Sequence, residues 1–186
     1  MKRTSVRSVF LLTMMSIVLA RGPQAYAASA GDIDRDATAA LTNLYGNTPG
    51  AKDLGATAKG ILIFPSIIKG GFIVGGQYGD GALRQGEKTV GYYRSIAASY
   101  GLQAGVQSFG YVLMFMDDAS LAYLDRSGGW EIGTGPSVVI VDKGMAKSMT
   151  STTVKSGVYA FIFGQKGLMA GIGLQGSKIT KITPDK

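Results

Sequence analysis

The sequence predicts a mainly β domain of the α+β class: a curved, glycine-rich antiparallel sheet, built as a sandwich or partly closed barrel, behind two short N-terminal helices. Three observations carry this expectation. Past residue 60 the chain becomes a series of short apolar runs, rich in β-branched and aromatic residues. Glycine bounds them every eight to twelve residues, which is the punctuation of sandwiches and barrels and not of βαβ units. Glycine also recurs at one spacing in three segments, pairing Gly71 with Gly75, Gly101 with Gly105 and Gly167 with Gly171. Residues four apart lie on one face of a strand about 13 Å apart. Each segment therefore offers two gaps without side chains, where a neighbouring backbone or ring comes close or the strand bends. Helical periodicity, finally, is confined mainly to residues 31–60.

The elements follow in chain order. Lys2, Arg3 and Arg7 precede an apolar run from Val9 to Ala20, and Ala25-Tyr26-Ala27 supplies small residues at the spacing of a cleavage site. The run of 12 residues is shorter than the roughly 20 a spanning helix needs. The expected organisation is a secretory signal peptide over 1–27 and a single domain over 28–186, exported to the periplasm or beyond and peripheral to a membrane.

Ile33, Ala37, Ala40, Leu41 and Leu44 recur at helical spacing, with Asp32, Asp34 and Asp36 near the start, where the helix dipole favours acids. Gly46-Asn47 ends this helix. Thr48 before Pro49 then reads as the N-cap of a second helix through Ala58, closed by Gly60. Strands are expected near 61–64, 71–79, 91–100, 102–109, 111–116, 130–133, 137–142, 157–163, 168–174 and 177–182. The first two form a hairpin whose tip holds Pro65-Ser66-Ile67-Ile68 and returns at Lys69-Gly70. A similar unit runs from Tyr159 to Phe163 and returns at Lys166-Gly167. Asp117 or Asp118 caps one helical interruption through Leu124.

Composition removes whole classes of chemistry. Without cysteine there is no thiol nucleophile, disulfide or zinc-thiolate site, and without histidine the usual general base and commonest metal ligand are missing. No catalytic residue, metal site or cofactor is expected. The net charge of +7 owes four of its cations to Lys2, Arg3, Arg7 and Arg21; without them 15 of the 19 Lys/Arg face 12 Asp/Glu, a balance of +3. The remaining bases are scattered singly among acids, which argues against nucleic acid as a partner.

Several phrases of this sequence stand together: Lys59-Gly60 before an apolar strand, Gly101-Leu-Gln-Ala-Gly105, Gly135-Pro136 entering a strand that ends at Asp142, and Lys166-Gly167-Leu168 through Gly171, Leu174 and Gly176-Ser177. In this order, over roughly residues 35–183, the chain resembles the SYLF family. The resemblance implies a phospholipid-binding module, with anionic lipids as ligands and an association with actin regulation in eukaryotic members. The first helix here has Arg35 as its only base, so the strongly basic membrane helix that the resemblance would supply is absent.

Within that frame the expected lipid contact is Ile67, Ile68 and Lys69: two large apolar residues and a base at a hairpin tip. Its alternative is that both isoleucines pack beneath the helices. Lys52, Lys59, Arg84 and Lys88 are further candidates for anionic head groups. Gly71, Gly75, Gly101, Gly105, Gly167 and Gly171 are assigned a structural role. Two functions follow: non-enzymatic binding of anionic phospholipid at the envelope, or an envelope interaction protein that recruits a protein partner along exposed strand edges.

Overall fold

The computed structural model describes residues 28–48, 50–71, 74–100, 105–141, 145, 157–166 and 174–185. The expected signal segment, Gly101, Gly167, Gly171 and the strand at 168–174 apart from Leu174 lie outside the described residues.

Helix α1 (Ala30–Asn47) starts at Ser29, whose side chain accepts the Asp32 N–H at 3.2 Å. Ile33, Ala37 and Leu44, spaced by four and seven, are its buried stripe. Helix α2 (Ala51–Thr57) begins two residues later than the Thr48 cap predicts. Thr48 instead closes α1, its N–H donating to the Leu44 carbonyl, and Gly50 at φ 81° is the N-cap of α2.

Eight strands follow in one sheet: β1 (Gly60–Gly71), β2 (Val74–Gln85), β3 (Lys88–Tyr100), β4 (Gly105–Phe115), β5 (Trp130–Glu131), β6 (Val138–Val141), β7 (Val158–Lys166) and β8 (Lys178–Ile182). Between β4 and β5 lie helix α3 (Asp118–Leu121) and a 3₁₀ turn at Ala122–Asp125. The spatial order is β5-β8-β3-β2-β1-β4-β7-β6. Neighbours are antiparallel except β6 and β7, which run parallel, so the purely antiparallel expectation is corrected to a mixed sheet.

Two of the strand boundaries that differ from expectation do so for one reason. β1 continues through the supposed tip at 65–69, and β4 joins the strands expected at 102–109 and 111–116. A proline inside a strand reads locally as a turn, yet a bulge also tolerates it. The register of β1 shifts between Ile63 and Ile68 against β2, and between Phe64 and Ile67 against β4, so Pro65 sits in a bulge common to both ladders. Glycines on the flanking strands make room for it. A Cβ on Gly81 would meet the Ile63 carbonyl oxygen and lie 2.7 Å from Phe64 Cδ1, and one on Gly110 would lie 2.7 Å from the Pro65 carbonyl oxygen.

The sheet is one curled half-barrel, the partly closed barrel of the two architectures expected. The Trp130 ring on β5 lies edge-on to Phe115 on β4 with centroids 5.8 Å apart, although five strand spacings separate the two strands, about 24 Å on a flat sheet. The Tyr111 hydroxyl on β4 likewise donates to Ser95 Oγ on β3 at 2.8 Å.

Leu62, Phe64, Ile67, Tyr93, Phe109, Tyr111, Leu113, Phe115 and Trp130 fill the inside of this curl. Ile61, Ile63, Ala82, Val112, Met114 and Phe161 point outward and are buried with Ile33, Ala37, Leu44 and Leu54 of the two helices. The strands thus bury both faces at their helix-covered end. Further along, the outer face carries no helix among the described residues.

Candidate functional site

The proposed tip dissolves into three different environments. Ile67 is fully buried inside the curl, so its assignment as a lipid contact is corrected. Ile68 points outward and is 57% exposed. Lys69 alternates back to the inner side, half-buried between its cross-strand partners Gln77 and Gln107. A strand sends successive side chains to opposite faces, so the three cannot insert together as a tip would.

The other cations are spread out. Lys52 is exposed on α2, Lys59 is exposed between α2 and β1, and Lys88 is exposed beside the turn joining β2 to β3. Arg84 is a structural anchor: its guanidinium donates to the Asp34 carbonyl and to Thr38 Oγ1 of α1. The Asp34 carboxylate in turn accepts Thr89 Oγ1 at 2.8 Å and the Tyr92 hydroxyl at 2.9 Å, latching α1 to β3. Burial, then the Asp34 carboxylate, raises the Tyr92 phenol above its ordinary pKa. Among the six glycines assigned a structural role, Gly71 pairs with Gly75 on one side and Gly105 on the other, so three of them form one row across β2, β1 and β4.

Nothing among the described residues groups three or more acidic, histidine or cysteine side chains as a metal site would. Asp117 is the N-cap of α3, accepting the Ser120 N–H at 2.6 Å, while Asp118 begins the helix; the adjacent carboxylates do not converge. Inside the curl, Gln77 Nε2 donates to Ser177 Oγ at 2.8 Å in a buried pair. A pocket of about 310 Å³ beside β6 is lined by Ile132, Pro136, Val138, Ile140 and Leu174 together with glycines and uncharged polar residues, and it offers no titratable side chain.

What the outer face does present is apolar. Ile68, Tyr78, Ile96 and Val106, on β1, β2, β3 and β4, are 57%, 44%, 48% and 72% exposed. Tyr78 is fixed in place: its hydroxyl donates to Asp80 Oδ2 at 2.9 Å, and the Arg94 guanidinium lies 4.8 Å from its ring centroid. Arg94 also grips Asp80 with two bonds of 2.7 and 3.0 Å, which raises the arginine pKa further and neutralises the carboxylate. Sequence reasoning missed Tyr78, Ile96 and Val106 as surface residues. Their alternation marks them as one face, but whether the helices reach that far is a tertiary fact.

Among the described residues, the curled sheet leaves large apolar side chains exposed on its outer face, while Asp34, Asp80 and Asp117 are engaged in a latch, an ion pair and a helix cap. Residues 96–184, from the middle of β3 past the end of β8, match the family described as Ysc84, Las17-binding protein actin regulator. The match over that segment is to the SYLF family, the family that the sequence resembles. No curated protein matches the chain.

Proposed function

We propose that this chain is an exported, non-enzymatic lipid-binding module: a signal peptide over 1–27 followed by one domain that contacts anionic phospholipid at the cell envelope. The observation that carries the reading is the exposed outer face, where four large apolar side chains on adjacent strands face solvent. Contiguous exposed apolar surface marks sites of membrane or protein contact. The lipid association implied by the family resemblance selects the first, and the basic, apolar N-terminal segment supports a destination at the envelope. The family description names actin regulation, but export would separate this chain from cytosolic actin, and we assign it no such role.

Co-sedimentation of the purified protein with phosphatidylglycerol-containing vesicles tests this reading. The expected result is a pelleted fraction that rises with the anionic lipid content; a protein that stays in the supernatant at every composition overturns it.

One feature favours a second reading. β6 is an edge strand whose only strand partner among the described residues is β7, and it exposes 48% of Ile140 next to the pocket beside it. Such an edge accepts an added strand from a partner chain. A single co-purifying protein, retained equally with and without lipid, would establish this alternative.

A further inference from the structure

The ladder registers place one row of side chains across six strands. Lys178 of β8 pairs with Ile96 of β3, Ile96 with Tyr78 of β2, Tyr78 with Ile68 of β1, Ile68 with Ser108 of β4, and Ser108 with Lys166 of β7. Directly paired residues project to the same side of a sheet. All six therefore stand on the outer face, three apolar side chains in the middle and a lysine toward either end.

The surroundings sharpen this pattern. On the side away from the helices, the adjacent row runs Ala98, Gly76, Gly70 and Val106. It holds almost no side chain before Val106, so the central apolar groups rise above a low floor. On the helix side Asp80 is held by Arg94 and its side chain is only 9% exposed, leaving no free carboxylate between the lysines among the described residues. Glu131 of β5 is the cross-strand partner of Lys178 and stands on the same outer face beside it, outside the span between the two lysines. Lys166 and Lys178 are exposed, and neither makes an ion pair among the described residues.

We propose that this row, Lys166–Ser108–Ile68–Tyr78–Ile96–Lys178, is the surface that meets an anionic bilayer. The inference rests on the lipid-binding reading and says where on the molecule the lipid binds and by what chemistry. Five strand spacings carry the row over about 24 Å before curvature shortens it, a span of several lipid head groups and too broad for one lipid molecule. Ile68, Tyr78 and Ile96 enter the interfacial layer while the two lysines stay at the level of the phosphates. Tyr78 suits that depth because an apolar ring carries a polar end, and its contacts with Asp80 and Arg94 order it before binding, which lowers the entropic cost of docking. The charge pattern selects an anionic membrane over a second copy of the chain: two identical faces would bring lysines against lysines or leave them unpaired.

The test separates the charged and apolar contributions. Each lysine near an anionic surface is expected to strengthen binding about fivefold at low salt. Lys166→Glu with Lys178→Glu should therefore weaken binding to phosphatidylglycerol vesicles at least about 25-fold, with the difference from wild type largely gone in about 1 M salt, where the Debye length is about 3 Å. Ile68→Ser with Ile96→Ser should weaken binding about tenfold or more at either salt concentration. Lys52→Glu with Lys88→Glu, away from the row, should change binding less than the row's lysine variant does. If wild type binds and both row variants bind like it, the row is overturned and the lipid reading survives. If wild type binds no vesicle, both fall together. A wild-type dimer that the isoleucine variant splits, with vesicle binding unchanged, would assign the face to a second copy and also overturn the proposal. The exposed lysine pair keeps the test decisive should the isoleucine variant fail to fold.

Discussion

A single missing Cβ decides how β1 can bulge. At Gly81 an added carbon would overlap the Ile63 carbonyl, a backbone atom that cannot rotate away. At Gly76 the nearest atom would be the Ala97 carbonyl oxygen at 3.5 Å, an ordinary contact. Gly81→Ala should therefore cost about 1–3 kcal/mol, or more if the bulge cannot shift, while Gly76→Ala changes stability by less than about 1 kcal/mol. Urea denaturation of the two variants checks this, and equal midpoints would refute the account of the bulge. The sequence drew attention to glycines by their repeated spacing, but these close approaches depend on where the partner strand bulges, which no local spacing encodes. At the same scale, burial raises the Tyr93 phenol to about 12, and burial also pushes Tyr111 up. Between pH 10 and 12 the unfolded chain gives up the Tyr93 proton while the folded chain keeps it. Stability is thus intact below pH 10 and falls as pH rises through this window, by about 2–3 kcal/mol from Tyr93 alone. Thermal melts from pH 8 to 12 should show that decline, and Tyr93→Phe should flatten part of it.

Helix α1 is held to the sheet by an apolar stripe and a polar latch, and only the stripe was legible in advance. Its period of Ile33, Ala37 and Leu44 is local, whereas the latch joins Asp34 to Thr89 and Tyr92, 55 and 58 residues away. Of the three acids near the helix start only Asp32 lies in the first turn, where the dipole favours it; that Asp34 faces the sheet depends on the fold. Asp34→Ala leaves two hydroxyls without their acceptor and should cost about 1–3 kcal/mol. Amide exchange should accelerate in Ala30–Asn47 ahead of β1 and β4; unchanged protection in α1 would show that the stripe alone holds it. Element type was likewise readable where composition was strong, as in the long apolar runs of β1, β4 and β7. It failed at Pro65, where turn and bulge share the same residue preferences. That one ambiguity moved Ile67 from surface to core and turned Lys69 to the opposite face from Ile68.

Closure of the curl is a property of the whole molecule, and the protein carries its own reporter of it. Trp130 is the only tryptophan in the chain, buried on the two-residue strand β5 and touching Phe115 on a strand five places away in the sheet. Its fluorescence therefore reports the meeting of distant strands, while far-UV circular dichroism reports the strands themselves. The central strands supply both the inner cluster and the cluster beneath the helices, so losing one face removes support from the other. The expected outcome is a single cooperative transition, with both signals superimposing in urea. Phe115→Ala should shift the two curves together to lower urea, by about 3–5 kcal/mol, because it empties the inner core at the contact that closes the curl. A fluorescence change preceding the loss of strand signal would instead mean that the half-barrel opens at β5 and β8 while the β3-β2-β1-β4 sheet stays folded, making closure a separate and weaker step than formation of the sheet.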